Sequence, residues 1–316
     1  MKLLNKKNIL LAIIILSLYA VGQILIVTGI IDSYILLNIT IIGINIILAV
    51  SLNLITGFTG QFTLGHAAFM AIGAYVSAIM TAKMGMPFIV GISLGAICAA
   101  LAGVLIGIPT LRLKGDYLAI ATLGFGEIVR IVILNNDYVG GASGLNDIPQ
   151  YTNWTWLFFM VMATLVLIKN FIESRSGRAC IAIREDELAA EAMGLNTTFY
   201  KVLAFGIGAF FAGIAGALYS GYFFFIKTDA FGFIKSIDII VIVVFGGMGS
   251  IAGSVIGAIA LSIISLLLQS VPELRMVIYS VILFVIMVYR PQGIMGNYKI
   301  KLFKRGGLQN VSGEGK

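Results

Sequence analysis

Apolar positions dominate this chain in long blocks, which are separated by short segments that hold charges, prolines or clustered glycines. Many blocks extend for about 20 residues, the length that an α-helix needs to cross a bilayer. The pattern therefore predicts an all-α bundle of about ten membrane-spanning helices. The eighth is the weakest, because only three glycines interrupt the apolar run over residues 239–268. The predicted spans lie near residues 9–31, 34–55, 67–82, 88–111, 117–134, 154–170, 202–226, 237–247, 252–270 and 276–289.

The amino-acid composition excludes a soluble protein of this size. Of 316 residues, 59% are hydrophobic and only 11% are charged, so too few polar side chains remain to cover a surface that faces water. The first apolar run follows Lys2, Lys6 and Lys7, as a secretory signal peptide would. It is longer than a usual signal core and lacks a convincing cleavage site, so we interpret it as a retained helix.

The positive charge of the chain predicts its orientation rather than a nucleic-acid partner. The formal net charge is +7, but Lys and Arg lie between apolar runs and at the two ends, without a basic stripe that includes aromatics. With ten spans and a cytoplasmic N-terminus, only Lys83, Lys227, Lys235 and Arg275 fall outside. Both termini are thus predicted to be cytoplasmic. Residues 1–300 form one predicted transmembrane domain, and residues 301–316 form a flexible basic tail.

A first glycine-rich break separates the second and third predicted spans. Residues 57–66 are too uncharged for an ordinary loop and too rich in glycines and hydroxyls for an ordinary helix. Non-helical backbone at membrane depth is tolerated where protein buries it or where it lines a watery cavity. One interpretation places Gly57, Gly60, Gln61, Gly65 and His66 on a translocation pathway. The other is a short turn whose glycines permit close helix contact, with the sole histidine as a hydrogen-bonded packing residue.

A second break interrupts the apolar run of the C-terminal half. Gly246, Gly247 and Gly249 crowd into four positions there and join the candidates for the pathway. One break in each half suggests an internal repeat, with candidate halves at residues 34–134 and 202–289, a pattern known from transporters.

Two charges lie inside a predicted span. Glu127 and Arg130 stand three residues apart on one helix, so they share a face and can pair. Charges within the membrane are costly and usually face a cavity or the bundle interior. They either line the pathway or form a structural ion pair that holds subunits together.

The longest polar segment, residues 173–201, lies on the predicted cytoplasmic side. Leu188, Ala192 and Leu195 recur at helical spacing and predict a short amphipathic helix. Gly194 can end this helix with positive φ, and Asn196 or Thr197 can cap the next span. From patterning alone, the segment is either a solvated loop helix or a docking site for a partner protein.

Five segments together resemble the LivM-type permeases of importers driven by ATP-binding-cassette (ABC) subunits, in matching order along the chain. They are residues 57–69, 114–130, 140–145, 189–196 and 246–250. The resemblance implies a multi-pass bacterial cell-membrane subunit that carries branched-chain amino acids. It also implies a LivH-like permease partner, two cytoplasmic ABC ATPase subunits and an extracytoplasmic solute-binding protein. The residues that it assigns to coupling with the ATPases are Arg184, Glu187, Ala190, Glu191 and Gly194.

The rival functions differ in the sequence features that they lead us to expect. Permeases for urea or short-chain amides share much of this pattern, whereas an ATP-independent channel or secondary carrier would not need the acidic cytoplasmic segment. An enzyme is disfavoured, because the sequence holds no phosphate-binding loop of the Walker type, no zinc-protease His-Glu-x-x-His motif and no second histidine. No cofactor or metal is expected.

Overall fold

The computed structural model describes residues 6–110 and 115–268, together with residues 277, 278, 281, 284, 289, 293 and 295. The predicted tenth span and the predicted tail at residues 301–316 lie outside the two continuous ranges. So do the last residues of the second candidate repeat, and the internal repeat stays a prediction.

The two continuous ranges are built from α-helices, as the apolar pattern predicts. They contain short 3-10 and π-helical turns and no strand, and an isolated bridge joins Leu145 and Ile226. The helices are α1 (Lys6–Val27), α2 (Ser33–Asn53), α3 (His66–Ala78), α4 (Phe88–Thr110), α5 (Asp116–Leu134), α6 (Trp154–Glu173), α7 (Arg175–Glu185), α8 (Glu187–Ala192), α9 (Thr197–Tyr222), α10 (Phe233–Gly246) and α11 (Ile251–Leu267). Two π-helical turns, Leu54–Phe58 and Ile79–Lys83, extend α2 and α3.

Several of these helices are long and apolar enough to cross a membrane. Five meet this standard within the described residues, and shorter apolar helices accompany them at Ile15–Val27 and Ile251–Leu267. The five are Ser33–Phe58, Phe88–Thr110, Asp116–Leu134, Trp154–Glu173 and Thr197–Tyr222. Large apolar side chains such as Leu105 and Val27 point outward, as lipid-facing residues do. The chain is therefore a multi-pass helical membrane protein.

Helix α9 forms the centre of the bundle and packs closely on α3 and α4. A Cβ on Gly216 would lie 1.9 Å from the Met70 carbonyl oxygen of α3, and one on Gly73 would lie 2.2 Å from the Gly213 carbonyl oxygen of α9. Small residues let membrane helices approach until their backbones touch, which gains dispersion contacts that lipid cannot replace. The glycines of α9 thus explain how this core is packed.

The connecting segments gather at two ends of the bundle. At one end, the loop after α5 meets the segment after α9, where Ile148 N donates to Phe224 O at 3.1 Å. At the other end, α7 meets the two glycine-rich breaks, as described below. This grouping agrees with the alternation of sides that the charge pattern predicts.

Candidate functional site

The first break begins with a widened turn rather than with irregular backbone. Gly57 lies within the π-helical turn Leu54–Phe58, which corrects the prediction of non-helical backbone from this residue onward. Residues 59–65 form no helix, and Gly60 has a φ of +75°. The backbone folds back there, since Gln61 N donates to Ile55 O at 3.1 Å. A single π-turn inside a membrane helix is a frequent feature of functional sites.

The remaining candidates of the first break are buried. Gly65 permits contact with α5, since a Cβ there would lie 2.4 Å from the Thr122 carbonyl oxygen. His66 begins α3, and its Nε2 atom lies 2.9 Å from Ser51 Oγ. Gln61 is 3% exposed, and neither polar atom of its side chain has a hydrogen-bond partner among the described residues.

The second break separates two helices, as the glycine cluster predicts. Helix α10 ends at Gly246, where a Cβ would lie 2.1 Å from the Gly253 carbonyl oxygen of α11. Gly247 and Gly249 follow with φ values of +113° and +81°, which only glycine adopts without strain. Ser250 then caps α11, because its Oγ accepts a hydrogen bond from Gly253 N at 3.1 Å.

A single buried amide joins the two breaks. Asn53 Nδ2 donates to Ser250 O at 3.0 Å and to Ser254 Oγ at 2.7 Å, and its Oδ1 accepts from Gly249 N at 2.8 Å. The Asn53 side chain thus pairs with Gly249 N, a backbone donor of the second break, and ties α2 to the start of α11. The sequence analysis did not select Asn53. The signal that could have identified it is a polar amide at the end of an apolar run, directly before a glycine-rich break.

Arg184 links the cytoplasmic segment to both breaks. Its Nη1 atom donates to the Gly57 carbonyl oxygen at 2.7 Å. A Cβ on Gly60 would lie 3.0 Å from Arg184 Cγ, and one on Gly249 would lie 3.0 Å from Arg184 Nη1. The side chain also pairs with Glu185. The structure therefore brings together four residues that the sequence analysis named from three separate segments.

The cytoplasmic segment holds two helices rather than one. Helix α7 was not predicted, because its polar side chains hide the buried face formed by Gly177, Ala179, Cys180 and Ile183. Helix α8 lies where the amphipathic pattern places a helix. Gly194 has the expected positive φ, +82°, and Asn196 caps α9 by accepting from Phe199 N at 3.0 Å.

Helix α8 is fixed to α9 by charged and polar contacts. Glu187 Oε1 lies 2.5 Å from Lys201 Nζ, and Glu191 Oε1 accepts from Thr197 Oγ1 at 2.8 Å. Ala190 faces inward and is buried. Leu188 and Met193 face outward instead and are 72% and 83% exposed. The helix thus presents apolar side chains to the surroundings while its acidic side chains hold it in place.

The two charges in α5 form an ion pair. Arg130 Nε lies 2.8 Å from Glu127 Oε2, and each side chain is about one-third exposed. This confirms that the two residues can pair. The same geometry suits a structural bridge and a lining of the pathway.

A partly buried polar contact of Lys235 was also missed, because this lysine borders an apolar run. Lys235 was counted with the outside residues, but it lies in α10 and donates to Asn45 Oδ1 at 2.9 Å, near the middle of α2. Asn45 Nδ2 in turn donates to Ser262 Oγ of α11 at 3.0 Å. Asp238 lies one turn further along α10. Asp238 is an ionisable residue inside a predicted span. It was the signal in the sequence that could have drawn attention to this part of α10.

Comparisons with known proteins agree with the membrane fold. The sequence model of the family described as "Branched-chain amino acid transport system / permease component" matches residues 34–287. The high-affinity branched-chain amino acid transport system permease protein LivM of Escherichia coli (strain K12) is 36% identical over 291 residues, covering 81% of this chain and 68% of the relative. LivH of the same organism, from the transport system of the same description, is 25% identical over 289 residues, covering 81% of this chain and 92% of the relative.

A second LivM protein is also similar to this chain. The probable branched-chain amino acid transport permease protein LivM of Methanocaldococcus jannaschii is 26% identical over 266 residues, covering 76% of this chain and 77% of the relative. No solved structure matches the chain significantly. Since the family match covers most of the chain and the E. coli LivM aligns along most of both sequences, the chain belongs to the family of branched-chain amino acid transport system permease components.

Proposed function

We propose that this chain is a permease subunit of an ABC importer that moves branched-chain amino acids into the cytoplasm of a bacterial cell. The subunit has ten spans and cytoplasmic termini, with residues 1–300 as one transmembrane domain and residues 301–316 as a basic tail. It pairs with a LivH-like permease and performs no bond chemistry. Two ABC ATPase subunits supply the energy, and an extracytoplasmic solute-binding protein delivers the solute.

The Arg184 contact is the observation that carries this proposal. An importer needs a mechanical connection between the ATPases inside and the helices that open the pathway. Arg184 belongs to the cytoplasmic segment and donates to Gly57 O in the first break, which Asn53 ties to the second. Movement of α7 and α8 is thereby transmitted to α2, α3, α10 and α11 together.

The outward face of α8 supports docking of an ATPase. Leu188 and Met193 are largely exposed, and apolar side chains gain most when a partner covers them. Their helix is fixed to α9 through Glu187 and Glu191, so force applied there reaches a membrane-spanning helix. We assign ATPase coupling to Arg184, Glu187, Ala190, Glu191 and Gly194.

The pathway itself is assigned to the breaks and to the charged face of α5. Irregular backbone at membrane depth requires burial in protein or a watery cavity. The buried and unpartnered side chain of Gln61 supports a polar surface near the first break. The pathway residues are Gly57, Gly60, Gln61, Gly65, His66, Glu127, Arg130, Gly246, Gly247 and Gly249.

Uptake by the purified complex in vesicles tests the proposal. ATP is supplied on the side of the vesicle membrane that carries the ATPase subunits, and the binding protein is supplied on the opposite side. We expect leucine to accumulate against its gradient on the ATPase side. Parallel assays with urea and acetamide test the amide alternative. Equal flux without ATP would identify a channel or carrier and overturn the proposed coupling.

Reporter fusions test the orientation of the chain. A reporter fused after Asn146 is expected to read extracytoplasmic, because the surrounding loop holds no Lys or Arg. One fused after Glu187 is expected to read cytoplasmic, because its segment holds several. Both reporters on one side of the membrane would contradict the ten-span arrangement.

Substitution of Gly194 tests whether α8 must be held at a fixed angle. Nothing lies within 4 Å of a Cβ built at this residue, so a substitution acts through backbone strain alone. We expect Gly194→Val to reduce substrate-stimulated ATP hydrolysis and uptake, because valine adopts positive φ at a cost of about 1–3 kcal/mol. Gly194→Asn is the matched control, since asparagine tolerates this region. Equal coupling in both variants would show that the angle of α8 is unimportant.

A further inference from the structure

A groove follows α3 and α5 beside the turn Thr228–Phe231. It consists of two narrow adjoining clefts, which share Ala68, Gly126 and Phe231. In this conformation the first cleft has no room for a water molecule, and the second has a volume of about 10 Å³. The first cleft reaches Ile133 and Thr228, near the end of the bundle that holds the loop after α5. The second reaches Leu64 of the first glycine-rich break. The groove therefore runs toward the break that Arg184 contacts.

Two buried hydroxyl groups in the first cleft have no hydrogen-bond partner among the described residues. They belong to Tyr75, which is 3% exposed, and Thr228, which is 1% exposed. An unpaired buried hydroxyl is unfavourable, and in native structures such a group usually has a partner in the protein, a ligand or a water molecule. Their position indicates that this cleft receives a polar group.

The groove also presents charges of both signs. Arg130 lines the first cleft and Glu127 lines the second, and the two side chains lie 2.8 Å apart. A simple anion or cation would be repelled by one member of such a pair. A molecule that carries a carboxylate and an ammonium close together can instead contact both at once, through charge-assisted hydrogen bonds.

The remaining walls of the first cleft suit an aliphatic side chain. Ala71, Val129, Ile133 and Phe231 line it and offer no polar atoms from their side chains. Apolar walls with a few convergent polar groups are the usual composition of a small-molecule site.

We propose that this groove widens during the transport cycle and then binds the zwitterionic aliphatic amino acid on its passage across the membrane. Arg130 contacts the carboxylate, Glu127 contacts the ammonium group, and the hydroxyls of Tyr75 and Thr228 complete the hydrogen bonds. This proposal rests on the proposed function, and it specifies where the permease itself contacts the solute.

Exchange of the two charges separates this site from a structural bridge. In the double variant Glu127→Arg with Arg130→Glu, the ion pair can re-form at the same spacing, but its polarity relative to the hydroxyls is reversed. We expect the complex to assemble with all its subunits while leucine uptake falls at least tenfold. Wild-type uptake by the exchanged variant, or loss of assembly, would identify the pair as structural and overturn the proposal.

Removal of the Tyr75 hydroxyl provides a second test that does not depend on charge. Tyr75→Phe leaves the packing intact and removes an unpaired buried group, so the thermal stability of the complex should be kept or raised. We expect kcat/KM for leucine uptake to fall about tenfold, the effect of losing one hydrogen bond to a charged ligand group. Tyr19→Phe is the control, since the Tyr19 hydroxyl bonds to Thr155 Oγ1 at 3.0 Å, away from the groove.

The two proposals fail in different ways. A wild-type complex that transports leucine, combined with a Tyr75→Phe variant that matches it in kcat/KM, overturns the groove assignment and leaves the proposed function intact. A wild-type complex that transports no aliphatic amino acid overturns the proposed function, and the groove assignment with it.

Discussion

Replacement of Arg184 by methionine is expected to uncouple ATP hydrolysis from transport. Methionine keeps an unbranched apolar stem but cannot donate to the Gly57 carbonyl oxygen, which the arginine reaches at 2.7 Å. A hydrogen bond from a charged donor contributes about 1.5–3 kcal/mol, so its loss predicts a decrease in uptake of about 10- to 100-fold. Substrate-stimulated ATP hydrolysis and leucine uptake by the whole complex are the measurements.

Arg178→Met is the matched control for this substitution. Arg178 lies on the same helix α7 and carries the same charge, but its Nη1 atom donates locally to Glu173 O at 2.9 Å. Both variants lose one positive charge from the same segment, so a general electrostatic effect would affect them equally. Equal uptake by the two variants would show that the contact with the first break plays no part in coupling.

The second large effect is expected from Gly57→Ala. A Cβ at this position would lie 1.8 Å from Asn53 Oδ1 and 2.4 Å from Gly249 N, where no real structure can place one. The amide of Asn53 must then move away from the second break, which removes the hydrogen bond to the partly buried Gly249 N. We expect loss of uptake, together with a lower thermal stability of the complex.

Gly124→Ala supplies the comparison for Gly57→Ala. Gly124 lies inside α5 with nothing within 4 Å of a Cβ, and alanine favours a helix over glycine by about 1 kcal/mol. This variant should insert and transport as the wild type does. If Gly57→Ala also transports normally, the contact between the breaks is not needed for function.

The apolar pattern was sufficient to predict most of the described helices. Long apolar runs identified the helices that are able to cross a membrane, because helix length and bilayer thickness are physically linked. Glycines marked both breaks correctly, since they remove the side chains that would pack a continuous helix. The pattern missed α7, because a short helix with a polar exterior has little apolar periodicity to detect.

Contacts between distant segments could not be predicted from the sequence. Nothing in the sequence around Asn53 names Gly249 as its partner, because a hydrogen bond across 196 positions depends on the packing of every helix between them. The same holds for Arg184, which was selected by resemblance and not by any knowledge of its contact with Gly57. Lys235 was placed outside because it borders the predicted span, whereas α10 begins before it.

The candidate groove also combines a feature that the sequence predicts with others that it does not. The spacing of Glu127 and Arg130 predicts an ion pair, because three residues along a helix bring side chains onto one face. It does not predict that Tyr75 and Thr228 come to the same cleft, since they belong to other segments of the chain. Site residues that are close together along the chain can be identified from a sequence. Site residues that only the folding of distant segments brings together cannot.

The amide of Asn53 also constrains how the protein is made. Asn53 leaves the ribosome long before Gly249, and at about 5–20 residues per second the delay for 196 positions is on the order of 10–40 s. During this time its polar side chain lies at the end of α2 without the partners that it has in the folded protein. The early helices therefore enter the membrane in an unfinished state, and the later segment around Gly249 supplies the partners of Asn53.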